Sequence, residues 1–254
     1  MKPIGIIVTL WLGLLLLAPI VSPYNPRQTN PENTLQAPNA SHIFGTDNIG
    51  RDVFSRTLHG GQRTILIALT ATLITTIPAL LLATLSNMGN QAIDVLIQII
   101  LNASLAFPSL LLALVILTLL GRGFLPIAIA TGLAQFPFYL QVTRGIFKQE
   151  QSRQYVTAAK SLGASNLHLL IHHILPNARP TLTAYASITF AYCIINSAAL
   201  SLLGLGGDPA IPDWGVMLAT GRDTFRYAPW SAIAPSVAIS ITVILANKLA
   251  DTFR

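Results

Sequence analysis

Gln154 to Pro180, QYVTAAKSLGASNLHLLIHHILPNARP, is the longest polar interruption after Leu66 in a chain otherwise made of apolar runs. Its spacing predicts two short amphipathic helices. Tyr155, Ala158, Ala159 and Leu162 stand at i, i+3, i+4 and i+7 and share one face. Gly163 then stops the first helix, as a left-handed cap residue does. Ser165 can cap a second helix, in which Leu167, Leu170, Ile171 and Ile174 repeat the spacing, and Pro176 closes it.

A small, alanine-bearing helical surface at the mouth of a membrane bundle suits docking into a partner's groove. The same spacing also fits an interfacial hairpin lying on lipid head groups. Catalysis is not indicated, because the stretch offers no nucleophile–base pair and no phosphate-cradling loop. His168 and His172 stand at i, i+4, a spacing able to chelate a metal, but no carboxylate or cysteine nearby completes a site, and His173 is expected to point elsewhere. No metal and no cofactor is therefore expected. There is no G-x-x-x-x-G-K-[ST] motif, so ATP-driven work must use another polypeptide.

Of the 254 residues 52% are hydrophobic and only 9% charged. A soluble domain carries about a quarter charged residues, so the deficit argues for membrane. Apolar runs recur that are long enough, at about 20 residues, to cross a bilayer as helices. The net charge of +6 is scattered along span-flanking segments and forms no patch with interleaved aromatics, which argues against nucleic acid. Cys193, the single cysteine, lies in an apolar run and reads as a core residue.

The reading is all-α and polytopic, with six spans. Residues 1–22 form the first, Ile4 to Val21, an uncleaved helix rather than a signal peptide because Pro19 and Pro23 crowd the cleavage region. Residues 23–62 are a polar loop in which Asp47 caps a short interfacial helix carrying Arg51, Asp52, Ser55 and Arg56 as an exposed charged face. Residues 63–254 are a core of five spans. The second runs from Thr64 to Leu85, where Thr70, Thr72, Thr75 and Thr76 can bond back to their own helix. A turn at Ser86–Asp94 leads to the third, Val95 to Leu120, kinked at Pro108. The tight turn Gly121–Gly123 leads to the fourth, Phe124 to Ile146, then the fifth, Leu182 to Leu203, and the last, Ser231 to Leu249. Asn102, Ser104, Gln135, Gln141, Asn196 and Ser197 are polar residues within spans and serve either helix–helix contacts or a translocation path. Trp214 and Trp230 fit an aromatic belt at the bilayer surface.

Four segments carry a family resemblance. The first is similar to the cytoplasmic Glu-Ala-Ala loop of binding-protein-dependent ABC importer permeases. Ala158, Ala159, Gly163, Leu175 and Pro176 fall in register, with Thr157 at the Glu position and His173 at an Ile position. GTDNIGRDVFSR (45–56) resembles the segment before the second span in the dipeptide/oligopeptide/nickel branch. AFPSLLLA (106–113) matches the peptide members, with Asn102 where an Asp is expected. SAALSLLGLGGDP (197–209) resembles EASLSFLGLG, with Ser197 in place of Glu. Members of the family usually continue a little beyond the position of Arg254.

The resemblance implies a type I importer permease fold in the bacterial inner membrane and transport of di- or oligopeptides, with nickel or cationic peptides as alternatives. It also implies a second homologous permease subunit, two ABC ATPase subunits and a periplasmic solute-binding protein. In it, 147–181 is the ATPase-coupling loop, with Tyr155, Thr157, Ala158, Ala159, Leu162, Gly163, Leu175 and Pro176 as coupling residues. The resemblance alone sets the orientation, since eight of the 15 Lys and Arg fall on one side and seven on the other. An ion-coupled transporter would bury ionisable groups mid-membrane, and none stands at the centre of an expected span. A membrane scaffold, the third class, needs no polar pathway.

Overall fold

The computed structural model describes residues 3–86 and 91–253. Lys2, Arg254 and residues 87–90 of the expected turn Ser86–Asp94 lie outside them. The described chain is all-helical. Four helices are long and apolar enough to cross a membrane: α3 (Val53–Ser86), α6 (Phe124–Gln151), the run Asn166–Leu205 and α11 (Trp230–Asp251). A fifth crossing is counted if α4 (Gln91–Leu105) and α5 (Ser109–Leu120) act as one bent pair.

The expected kink at Pro108 is a corner rather than a bend, the two halves of the pair meeting at 93°. Pro108 has no N–H and pushes its neighbour out of the helical region. It sits extended (φ −57°, ψ 131°) and serves as N-cap of α5, its carbonyl accepting from Leu112 N–H. Pro19 breaks the N-terminal span likewise, leaving α1 (Pro3–Leu16) and a single turn, α2 (Ala18–Val21). A proline at 19 cannot bond the Leu15 carbonyl. Gln62 Nε2 donates to that carbonyl instead, at 2.9 Å.

The bundle is built on α3 and α6, which run parallel and pack closely. At their crossing a Cβ on Gly132 would stand 2.7 Å from the Ala71 carbonyl oxygen. Thr75 Oγ1 donates to both Ala71 O and Gly132 O there, at 2.9 and 2.7 Å. Small residues allow such approach where no hydrophobic effect drives helices together. Thr70 and Thr72 bond back to Leu66 and Ala68 as expected. Packed against this pair is α9 (Leu175–Leu200), with Cys193 fully buried in the contact, and α11 closes the far side. Leucine and isoleucine side chains such as Leu66, Leu73, Leu81 and Ile244 cover the outside. An apolar exterior is what a bilayer requires of a bundle.

At the end where α3 begins, the segment 22–52 folds as a knot rather than a loose loop. The expected Asp47 cap is corrected: Asp52 Oδ2 accepts from Ser55 N–H (2.7 Å) and caps α3, so no separate short helix forms. Asp47 instead accepts from the amides of Ile49 and Arg51 (both 3.0 Å) and from Arg51 Nε (2.6 Å). The charged face is buried, not exposed. Arg51, Asp52 and Arg56 are each 3% accessible or less. Arg56 donates to the carbonyls of Pro26, Pro209 and Ala210, tying two loops to the head of α3.

Between the fifth expected span and the last, the chain forms α10 (Trp214–Asp223). Its N-cap Asp213 accepts from Gly215 and Val216 amides and from Thr64 Oγ1. Burial pushes the Asp213 carboxyl above the usual carboxylate range, against the pull of those bonds. Trp214 is no belt residue: it is fully buried, its Nε1 donating to Thr57 O at 2.7 Å. Trp230 Nε1 likewise donates inward, to Thr46 O.

Candidate coupling site

The opposite end of the bundle carries the hairpin. Helix α6 stops at Gln151, and α7 (Gln154–Ser161) follows after two residues. Gly163 takes φ +85° with open space around its Cβ position. Gly163 N–H bonds Lys160 O (3.0 Å) and Ala164 N–H bonds Ala159 O (3.1 Å). These are the two bonds of a Schellman cap, the left-handed stop that the glycine predicts. Ser165 then accepts from His168 N–H (3.3 Å) and starts α8 (Asn166–Leu169).

Two expectations about the hairpin need correction. Pro176 does not close the second helix. A π turn at Leu170–Ile174 absorbs the proline's missing donor, and α9 continues from Leu175, with Pro176 in its first turn. The inward face also differs from the one inferred. Val156, Leu169, Leu170 and Ile174 are buried against α6, while Leu167 and Ile171 are each 48% exposed. The wider π turn shifts the face out of the plain helical register.

In α7, Val156 is the anchor and Tyr155 and Ala159 are half-buried. Tyr155 donates to Glu150 Oε2 at 2.6 Å, and burial together with that bond pushes its phenol up to about 12. Thr157, Ala158, Lys160, Ser161 and Leu162 are exposed. Leu162, at 89%, is the most exposed large apolar side chain described. Leu175 is half-buried and Pro176 exposed. The hairpin thus holds one face fixed against the bundle and leaves another exposed. The imidazoles of His168 and His172 stack at 4.3 Å between centroids, and His173 approaches His168 at 5.7 Å rather than pointing away. No group of three metal-binding side chains exists among the described residues.

Sequence reading missed a polar cluster beside the hairpin. Arg144, nearly buried in α6, donates to Asp94, to Gln98 Oε1 (2.9 Å) and to Ser86 Oγ (3.2 Å). Ser86 also bonds Asp94, and Gln98 Nε2 donates to Asn102 Oδ1 (2.9 Å). The signal was available: a lone arginine inside an expected span calls for a carboxylate. Of the six candidate path residues, Asn102 and Gln141 are exposed on the subunit, Ser104 and Asn196 half-buried, and Gln135 and Ser197 buried. Ser197 Oγ bonds back to Ile194 O. No side-chain hydrogen bond among the described residues joins any two of the six.

Residues 76–254 match the family described as "Binding-protein-dependent transport system inner membrane component". The di/tripeptide transport system permease protein of Pseudomonas aeruginosa is 37% identical over 245 residues, covering 94% of this chain and 81% of that protein. The dipeptide transport system permease protein of Alkalihalophilus pseudofirmus is 33% identical, covering 98% and 82%. The glutathione transport system permease protein of Pectobacterium atrosepticum is 31% identical, covering 98% and 83%. A multi-pass apolar bundle, a capped hairpin at one end and relatives aligned over nearly its whole length lead to one assignment: the chain belongs to the inner-membrane permease family of binding-protein-dependent transport systems.

Proposed function

We propose that this chain is one half of the membrane channel of an ABC importer for di- and oligopeptides. The substrate class follows the names of its relatives, which are permeases of peptide systems and, in one case, of glutathione. A second homologous permease subunit completes the channel, two ABC ATPase subunits dock below, and a periplasmic binding protein delivers substrate. ATP is hydrolysed on the ATPase subunits.

Six crossings result if α1–α2 counts as a short first span and α4–α5 as one bent span. Residues 1–22 are then the first crossing, 23–62 the periplasmic cap, and 63–254 the core, with 147–181 facing the cytoplasm. Asn102 and Gln141, exposed in the single subunit, suit the translocation path, together with half-buried Ser104 and Asn196; Gln135 and Ser197 stand further inside the subunit.

One observation carries the reading: α7 is anchored by Val156, capped at Gly163, and presents Leu162 beside Thr157 and Ala158. A lever of this kind biases alternating access only if its contacts with the ATPase differ between states. Gly163→Pro tests it. Proline fixes φ near −65° where the chain needs +85°. The bundle should still insert, while ATPase activity ceases to respond to binding protein. Unchanged stimulation would refute the coupling role of α7.

A further inference from the structure

A cavity of about 510 Å³ opens between the hairpin and the bundle, walled by the ends of α3, α4 and α6 and by α7 and α8. Lys148 from α6 and Lys160 from α7 face it, with Ser152 between them in sequence, over a floor that includes Val156 and Leu170. The carboxylates nearby are already matched. Asp94 is held by Arg144 and Ser86. Glu150 accepts from Tyr155 and lies 3.9 Å from Arg153. Lys148 acts on Asp94 only at longer range, and neither lysine is in an ion pair among the described residues. Two lysines thus line a half-enclosed space whose one lining carboxylate, Asp94, is already engaged by Arg144 and Ser86.

We propose that this cavity binds a phosphate-bearing anion, held by Lys148 and Lys160 and seated on the apolar floor. Its volume lies within the roughly 300–1,000 Å³ of small-ligand pockets, larger than a single ion needs. The floor of valine and leucine suits the carbon skeleton next to a phosphate ester. Basic pockets between membrane helices are where anionic headgroups bind, and this cavity lies at the end of two spanning helices, α3 and α6. The phosphate comes either from a phospholipid headgroup or from a soluble phosphate. Because Lys148 belongs to α6 and Lys160 to α7, occupancy ties the hairpin to the bundle.

The test uses the full-length chain in nanodiscs of phosphatidylcholine, titrated in one arm with phosphatidylglycerol and in the other with inorganic pyrophosphate, with the thermal midpoint as readout. Wild type should be stabilised in at least one arm: a lipid site responds to phosphatidylglycerol, a soluble-phosphate site to pyrophosphate. A Lys facing an anionic phosphate layer contributes about fivefold, so Lys148→Gln/Lys160→Gln should weaken the response roughly 30-fold. Lys148→Arg/Lys160→Arg should keep it, and Lys248→Gln, at the end of α11, should not change it. Both lysines are exposed, so the variants should elute and unfold as wild type without ligand. A wild type that responds in neither arm, or a glutamine pair that responds as wild type does, overturns the proposal.

Discussion

Leu162→Ala separates a side chain that serves this fold from one that serves a partner. At 89% exposure the leucine contributes almost nothing to its own subunit, so truncation should leave the thermal midpoint of the purified chain unchanged. On docking the same side chain would leave water. Leucine exceeds alanine by three carbon groups at about 0.8 kcal/mol each, and nearly nine-tenths of that surface is available, which gives about 2 kcal/mol. That is roughly a 30-fold loss of affinity at each hairpin. The assay is a titration of purified ATPase subunits onto the permease pair in nanodiscs, wild type against variant. Leu167→Ala, at half the exposure, should weaken binding less. An unchanged affinity for Leu162→Ala refutes the reasoning, and so does a lowered midpoint, which would make Leu162 part of the subunit's own core.

Gly132→Ala should destabilise the bundle by about 2 kcal/mol, since its new Cβ would meet backbone at 2.7 Å and Ile74 Cβ at 2.9 Å; the midpoint in detergent measures it. Ala134→Gly, two residues on, provides the opposite change of volume and should cost less, about 1 kcal/mol, on the same scan. Arg56→Met keeps the stem but leaves three loop carbonyls without their donor, at about 1 kcal/mol or more each. Limited proteolysis between residues 23 and 50 should accelerate at least tenfold, while the spans stay protected.

Much of this was legible in sequence because membrane helices advertise themselves by composition. The apolar runs located the four long crossings, and Gly163 and Ser165 announced the hairpin through local backbone chemistry alone. Failures cluster where proline meets a partner that sequence cannot show. Pro19, Pro108 and Pro176 each signal a break, yet the outcomes are a split span, a 93° corner and an uninterrupted helix. What decides among them lies outside the proline: Gln62, from another helix, donates to the carbonyl freed by Pro19, whereas before Pro176 the chain widens locally into a π turn. Arg51, Asp52 and Arg56 looked like a solvated face because charge usually is one. The burial of Arg51 and Arg56 depends on the Pro209 carbonyl, contributed from more than 150 residues away, and Asp52 is matched by His42 and the Ser55 amide.

The helical run from Asn166 to Leu205, kinked only near its end at Gly204, means that the second limb of the hairpin is also the start of a membrane helix. At 1.5 Å per residue it is about 60 Å long, twice the thickness of the hydrocarbon it crosses. Its two π turns, Leu170–Ile174 and Ser201–Leu205, stand near opposite ends, with Gly204 at φ +83° inside the second. A torque applied at His168 would act along this axis, where the two π turns and Gly204 are the departures from regular helical geometry. The second π turn borders Gly206 and Gly215, which pack within contact of Ser201. A twist at one membrane face would surface at the other as a shift of α10.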